Sequence, residues 1–498
     1  MPKKYYITTT LPYVNAKPHI GFALETTQAD ALARYHRLLG EEVVFNTGTD
    51  EHGLKIYRKA LEEKKEPQVY CDEYAAKFDA LKQALNLSYT NFIRTTDDFH
   101  IKAAQEFWMK CFDNGDIYKK NYKIKYCVGC ELEKTDSDLE DGKCREHPNL
   151  EIEFIDEENY FFRFSNYVDK LLKFYKDNPD FVIPSHRQNE IIKFVERGLQ
   201  DFSISRLKEK MPWGVPVPGD NDHVMYVWFD ALVNYISTLG WPDKKGNYKE
   251  FWPGVQVAGK DNLRQQTAMW QAMLMSAGLP NSKQVFIHGF ITSGGQKMSK
   301  SLGNVIDPIE IVDKYGTDAT RFYLLGALPS YEDGDFNIEK FEEFYTAHLV
   351  NGVGNLTSRV LTMIEKYSKG KIPAKKVYVE GFLTFNQFWS TEYPNYINKY
   401  SFDEAIGSIN MMVAGYDKLI SDEKPWKKAK EGEDISGLLY QLAEGLRNIA
   451  VALLPIIPES AQKILDQLNT VNTSQEWGGL EEGTKIQKGE ILFPRLDK

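Results

Sequence analysis

The chain has 498 residues, too many for one hydrophobic core, so three or more compact units are expected. Its 42% hydrophobic and 27% charged residues are those of a folded, soluble protein, and the longest apolar run, IAVALLPIIP from Ile449, is far too short to span a bilayer. A net charge of −10 argues weakly against a general nucleic-acid binder, although local patches rather than the total decide such binding. The start, MPKKYYITTT, lacks the apolar core of a signal peptide, so a cytoplasmic location is expected. Five cysteines in a chain this long imply no disulfide framework, but Cys127, Cys130 and Cys144 cluster.

Residues 5–10 alternate and are rich in β-branched side chains, which predicts a buried strand. Apolar positions in residues 21–39 follow helical spacing and stop at Gly40, a C-cap; EVVFNT, residues 42–47, is the next strand. Strand, helix and strand in about forty residues form a βαβ unit and hence a parallel sheet. In such sheets ligands bind at the carboxyl ends of the strands, where both TTTLPYVNAKPHIG and NTGTDEHG fall. The rhythm breaks at about Tyr118 and resumes at MYVWFDALVNYIS, so the middle reads as an insertion into a split sheet. After about Glu343 helical periodicity takes over as far as Leu468, which predicts a bundle, and IQKGEILFPRLDK reads as an extended strap packing back. The expected division is 1–117 and 223–343 for the two halves of a nucleotide-binding domain. Residues 118–222 form the inserted unit, and 344–498 the helical unit with its strap.

Three motifs carry chemistry. In GGQKMSKSLGN, Lys297 and Lys300 sit three apart in a Gly/Ser-rich loop and can flank a polyphosphate that backbone N–H groups cradle. His19, in PHIG at the predicted helix start, can donate to phosphate oxygens with help from the helix dipole. Cys127-x-x-Cys130, thirteen residues and Cys144-x-x-His147 match a closed four-ligand Zn²⁺ set, structural because no position stays open for a catalytic water. Cys71 and Cys111 lie on helical patterns and read as core.

Taken together, LPYVNAKPHIG, TGTDEHG, WGVPVPGD, MYVWFDALVNYIS and HGFITSGGQKMSKSLGN resemble the methionyl-tRNA synthetases, a class I aminoacyl-tRNA synthetase family, from about Tyr6 to the C-terminus. The resemblance implies a Rossmann-like doubly wound sheet, split by a Zn-bearing insertion and followed by an anticodon-binding helical bundle. It also implies ATP-dependent activation of methionine, with Mg²⁺ on the ATP, and transfer to methionine tRNA. On that basis His19, Gly21, Lys297, Ser299 and Lys300 bind ATP, and His19, Lys297 and Lys300 assist catalysis. Gly21 would let the adenine ring approach the backbone. Asp50 would capture the α-ammonium group, the rival reading being a helix N-cap. Leu11, Tyr13, Trp228, Ala231, Leu232, Tyr235 and Gln266 would line the methionine slot, with Trp228, Ala231, Leu232 and Tyr235 on one helical face. Asn351, Asn355 and Arg359, spaced as one helix face, and Trp426 beside Lys424, Lys427 and Lys428 match the anticodon readers.

Two departures from the family pattern stand out. Phe22 stands where the signature carries a second histidine, and Gln265-Gln266 replace Phe-His. Gln28 or Lys17 could supply the donor missing at Phe22, and Gln266 could replace the histidine's hydrogen bond. The alternatives are a sister synthetase for Leu, Ile or Val, a simpler nucleotidyltransferase, or a tRNA-binding protein whose catalysis has decayed. The middle insertion is short for a full editing domain, and no dimerisation module follows the bundle, so a monomer is expected.

Overall fold

Six strands build the central sheet: β1 (Lys4–Thr9), β2 (Glu42–Thr49), β3 (Asn91–Arg94), β4 (Val182–Ile183), β5 (Val255–Gly259) and β6 (Gln284–His288). They come from a computed structural model that describes residues 2–130, 132–134, 138–298, 303–375 and 388–496. Every pairing in the sheet is parallel, in the order β3-β2-β1-β5-β6-β4. β1 is buried over nearly its whole length, as expected of a central parallel strand covered on both faces. The order reverses between β1 and β5, and this switch point is where a doubly wound sheet opens a crevice for ligands. Helix α1 (Ile20–Leu38) connects β1 to β2, and α2 (Leu54–Glu62) follows β2.

The insertion is built on a long antiparallel pair, Ile117–Cys127 against Glu153–Phe162, in register from Ile117↔Phe162 to Tyr126↔Glu153. The chain does not leave the main sheet alone there. β4, drawn from within the stretch expected to be inserted, forms the outer strand beside β6, and α3 (Ser185–Glu196) follows it. Its two residues are too short for any periodicity to reveal.

The C-terminal unit is helical and includes α6 (Asn355–Tyr367), α7 (Phe402–Glu423), α8 (Pro425–Lys430), α9 (Ser436–Leu453) and α10 (Pro458–Gln467). α9 is its centre: every residue from Gly437 to Leu453 is buried. Glu444 and Arg447 are therefore buried charges, and they are satisfied by each other and by the chain that returns over them. Arg447 donates to the carbonyls of Asn472, Ser474 and Glu476, while Glu444 accepts the N–H groups of Gly478, Gly479 and Leu480. Further on, Tyr345 donates to the Pro494 carbonyl and Phe493 is buried, so the expected strap does pack back. A second buried arginine joins this unit to the sheet. Arg321 pairs with Asp30 of α1 at 2.8 Å and donates to the carbonyls of Leu85, Pro455 and Ile456. Burial opposes the charge of Asp30, but Arg321 and Arg34 outweigh it and hold the carboxyl below its ordinary range.

Candidate active site, zinc knuckle and helical face

The loop from β1 ends on His19, which caps α1. Its Nδ1 accepts the Gly21 N–H at 3.1 Å, so the neutral ring carries its proton on Nε2, where it is free to donate. Crowding by surrounding protein lowers the pKa of His19 and favours that neutral form, although the residue is open to solvent. Gly21 is needed for this cap: a Cβ there would lie 2.9 Å from His19 Cε1. The same Cβ would lie 3.9 Å from the methyl of Met298, so the PHIG loop and the start of the KMSKS segment are neighbours.

Phe22 is half-buried and meets Phe78 edge-on at 5.3 Å, in a seam that also holds Val14 and Ile56. The site therefore has an apolar wall where a histidine would have offered a donor. Of the two expected substitutes, Gln28 is buried within α1 and Lys17 is exposed on the preceding loop.

Glu25, one turn further along α1, ties two strand ends together, those of β1 and β6. It accepts the Thr10 N–H at 2.8 Å and the Thr10 hydroxyl, and it pairs with Nε2 of His288 at 3.0 Å. Nδ1 of His288 faces the Gly289 carbonyl at 2.7 Å, so both ring nitrogens meet acceptors. Burial opposes a charged ring, but Glu25 and the carbonyl outweigh it and raise the His288 pKa.

Asp50 sits just beyond β2. Its N–H donates to Pro12 O, its carbonyl accepts the Val14 N–H, and a parallel bridge sets it beside Tyr13. The N-cap of α2 is Gly53, at φ 112°, so Asp50 does not cap that helix and the rival reading fails. The next two residues are anchored deep in the fold. Glu51 accepts a forked pair from Arg94 at 2.7 and 2.9 Å, and His52 Nδ1 lies 2.6 Å from the Asp230 carboxylate.

Trp228 and Ala231 lie on α4 (Val227–Ala231) and Tyr235 on α5 (Asn234–Ser237), with Leu232 at the join. The expected single helix is thus two short ones. Leu232 and Val233 nevertheless keep right-handed dihedrals, so the apolar face continues across the join. Gln266 donates to the Tyr235 hydroxyl at 2.7 Å and accepts from Gln256 at 3.1 Å. It begins inside a π-type turn, Gln265–Met269, a local distortion often found where a helix re-aims side chains toward a site.

The strand Ile291–Ser293 turns through Gly294 and Gly295, both at positive φ, into Gln296–Lys297. Asp335 fastens the turn by accepting the Gly295 N–H at 2.8 Å. Ser299, Lys300 and the side chain of Lys297 lie outside the described residues.

In the insertion, the ligand atoms of Cys127, Cys130, Cys144 and His147 all lie within 4.8 Å of one another. Cys130 Sγ is 3.4 Å from Cys144 Sγ and 3.2 Å from His147 Nδ1, about the edge lengths of a tetrahedron around Zn²⁺. The Cys130 N–H reaches back to Cys127 Sγ, and a Cβ at Gly129 would strike the His147 ring at 2.6 Å. Sulfur chemistry, spacing and the glycine-dependent cradle all fit the metal.

The helical face is less regular than its spacing suggests. Asn351 lies in a π-type segment, Tyr345–Gly354, kinked at Gly352, whereas Asn355 and Arg359 belong to α6. Both asparagines are exposed, and Arg359 pairs with Asp417 of α7. Trp426, at the start of α8, is 47% exposed, which excludes its use as a core plug.

Sequence reasoning did not single out Glu25, Glu51, His52, Arg94, Asp230 or His288. Glu51 and His52 were visible as neighbours of Asp50 in TGTDEHG, but their partners lie far along the chain.

Residues 5–147 and 130–361 match the profile of the family described as tRNA synthetases class I (M). A methionine–tRNA ligase from Caldanaerobacter subterraneus subsp. tengcongensis is 42% identical over 510 residues, which cover 100% of this chain and 80% of the relative. One from Thermosynechococcus vestitus is 41% identical and aligns over 100% of this chain and 98% of its own length. Among solved structures, Mycobacterium tuberculosis methionyl-tRNA synthetase in complex with methionyl-adenylate superposes with a TM-score of 0.95 at 36% identity. That superposition covers 99% of this chain and 100% of the other.

Proposed function

Since this chain belongs to the methionyl-tRNA synthetase family of class I, we propose that it joins methionine to ATP and passes the activated amino acid to methionine tRNA. In the first step a carboxylate oxygen of methionine attacks the α-phosphorus, the bond to the bridging oxygen breaks, and pyrophosphate leaves. In the second, a ribose hydroxyl of the terminal adenosine attacks the adenylate carbonyl, an ester forms, and AMP and a proton depart.

The observation that supports this reading is that the segments carrying His19, Asp50 and Gln266 all leave the carboxyl ends of β1, β2 and β5, the strands at the switch point of the parallel sheet, in a chain that matches the family along its length. His19 supplies a neutral Nε2–H to phosphate oxygens, and Lys297 and Lys300 would neutralise the departing pyrophosphate. Ser299 and Gly21 complete the nucleotide site. Asp50, buried beside Tyr13, holds the α-ammonium group. Leu11, Tyr13, Trp228, Ala231, Leu232 and Tyr235 form the thioether slot, in which sulfur–aromatic contact contributes about 0.3–1.5 kcal/mol. Gln266 hydrogen-bonds the Tyr235 hydroxyl and thereby fixes one wall. No covalent enzyme intermediate is involved; the residues position and neutralise. Mg²⁺ bound to ATP would offset its phosphate charge. Cys127, Cys130, Cys144 and His147 would hold a structural Zn²⁺ that closes the knuckle. Asn351, Asn355, Arg359 and Trp426 read the anticodon, Trp426 as a stacking plane. The work is placed in the cytoplasm, by a monomer.

Methionine-dependent ATP–pyrophosphate exchange tests the reading, with leucine, isoleucine and valine run in parallel. Exchange with methionine alone is expected; exchange led by another of the four would return the slot to a sister specificity. Phe22→His, which restores the absent donor, is expected to quicken exchange. A slower Phe22→His enzyme would mean that the apolar seam with Phe78 matters more than the donor.

A further inference from the structure

The short strand Gly334–Phe336 runs parallel to Ile291–Ser293, with Thr292 paired to Asp335. Two aspartates, Asp333 just before this strand and Asp335 within it, grip the segment that follows β6. Asp335 accepts two hydrogen bonds on one oxygen: Oδ1 takes the Thr292 hydroxyl at 2.8 Å and the Gly295 N–H at 2.8 Å. Asp333 Oδ1 accepts the Phe290 N–H at 2.9 Å, and its Oδ2 meets Lys260 Nζ at 2.7 Å. Lys260, in the segment after β5, also lies over the Phe290 ring, 4.6 Å from its centroid. The Gly334 N–H donates to the Phe290 carbonyl, and a Cβ at Gly289 would lie 2.2 Å from the carbonyl carbon of Glu332. One strand thus holds the foot and the turn of the hairpin that leads into Lys297, and ties both to the switch-point side of the sheet.

That hairpin is too small to fix its own register. Its strands pair only at Thr292↔Lys297 and Ser293↔Gln296, across Gly294 and Gly295, both at positive φ. So short a two-stranded hairpin is marginal by itself, and glycines lose more freedom on ordering than other residues. A slip by one residue would carry Lys297 about 3.3 Å along the strand and turn its side chain to the other face. Asp335 opposes that slip, because a single oxygen is bonded at the strand and at the turn, and one register alone brings Thr292 and Gly295 to it together. The Gly295 N–H, with the Thr292 hydroxyl, holds the Asp335 carboxyl below its ordinary range, so it stays a charged acceptor.

We propose that Asp335 is a positioning residue for adenylate formation, the pin that sets which side chains of the KMSKS segment face the nucleotide, with Asp333 and Lys260 as its anchor. The inference rests on the synthetase reading above, in which Lys297 and Lys300 neutralise the departing pyrophosphate. In that reading Asp335 touches neither substrate and acts through the Gly295 backbone and the Thr292 hydroxyl. Its influence therefore falls on the phosphate end of the reaction and spares the methionine slot, which is built on other segments. What the task requires of the side chain is an acceptor oxygen at the right place rather than a charge on the substrate.

The test compares wild type with Asp335→Ala, Asp335→Asn and Thr292→Val in methionine-dependent pyrophosphate exchange, with urea midpoints to establish folding. Asp335→Ala should lower kcat/KM for ATP by about tenfold or more, the cost of misplaced phosphate-binding groups, while the KM for methionine stays within about twofold. Asp335→Asn, which keeps the acceptor oxygen, should recover kcat/KM for ATP to within about threefold of wild type. Thr292→Val removes the strand contact alone and should show a smaller loss of the same kind. A folded Asp335→Ala enzyme with unchanged ATP kinetics would overturn the proposal, as would a methionine KM that rises in step with that for ATP. Asp335→Asn as impaired as Asp335→Ala would also overturn it, by making the charge rather than the acceptor decisive. Should Asp335→Ala fail to fold, unaltered ATP kinetics in Thr292→Val would overturn it instead. Wild-type protein without methionine-dependent exchange would contradict the synthetase reading itself, so the two failures are distinguishable.

Discussion

His52 Nδ1 lies 2.6 Å from the Asp230 carboxylate, and this one buried contact joins the loop that carries Asp50 to the helix that carries Trp228. Asp230 is fully buried, so neither partner can turn to water if the other is removed. Charge-assisted hydrogen bonds in such places contribute about 1.5–3 kcal/mol.

Replacing Asp230 by Ala should therefore leave His52 unpaired and lower stability by about 3 kcal/mol, read as a reduced urea midpoint. Asp230→Asn, which keeps an acceptor, should recover most of that stability while the KM for methionine stays about tenfold high, because the bond loses its charge. Equal KM values for wild type and Asp230→Asn would show that the pair has no part in shaping the slot.

Tyr235→Phe removes the acceptor of the Gln266 amide and leaves a buried donor, at a cost of about 1–3 kcal/mol. On the proposed role of Tyr235 in the amino-acid wall, the KM for methionine in pyrophosphate exchange should rise about tenfold with the KM for ATP unchanged. A parallel rise in both values would mean a general loosening of the sheet end.

The His288–Glu25 pair gives stability a pH dependence of definite sign. The folded pKa of His288 is raised above its ordinary value of 6.5, so the pair's contribution is fully present below about pH 6.5 and is lost as pH rises through the folded pKa. In urea titrations, wild type should exceed His288→Gln by most near pH 6, and the gap should narrow toward pH 9. A gap that widens with pH would show that His288 is held neutral.

On the proposed zinc site, removing the metal should loosen the knuckle and spare the sheet, because Cys127, Cys130, Cys144 and His147 all lie within residues 127–147 of the insertion. Chelation, or Cys144→Ser, should make this segment sensitive to protease while methionine-dependent exchange persists in part. Metal analysis showing no zinc in freshly prepared protein would remove the basis of that expectation.

Much of this was legible because it was local. β1, α1 and β2 follow each other within fifty residues, and their β-branched runs and the helical spacing between them end at turns the sequence marks. The cluster of Cys127, Cys130, Cys144 and His147 was legible because its spacing is that of a four-ligand set. What escaped was contact at long range: His52 meets Asp230 and Glu25 meets His288 across most of the catalytic unit, and periodicity carries no information about such partners. The face of Asn351, Asn355 and Arg359 was read as if the helix were straight. Gly352, with backbone angles outside the helical region, breaks that assumption between the first residue and the other two.

The central position of β1 also bears on synthesis. It pairs with β2 on one side within fifty residues, but its other neighbour, β5, is translated about 250 residues later. At typical elongation rates the strand destined for the middle of the sheet is an open edge on the ribosome for on the order of tens of seconds. Its unmatched N–H and C=O groups could recruit another nascent strand during that interval. The long insertion thus sets a period of vulnerability during translation, and slower elongation between residues 118 and 254 should raise the yield of aggregated chains more than the same delay placed after residue 344.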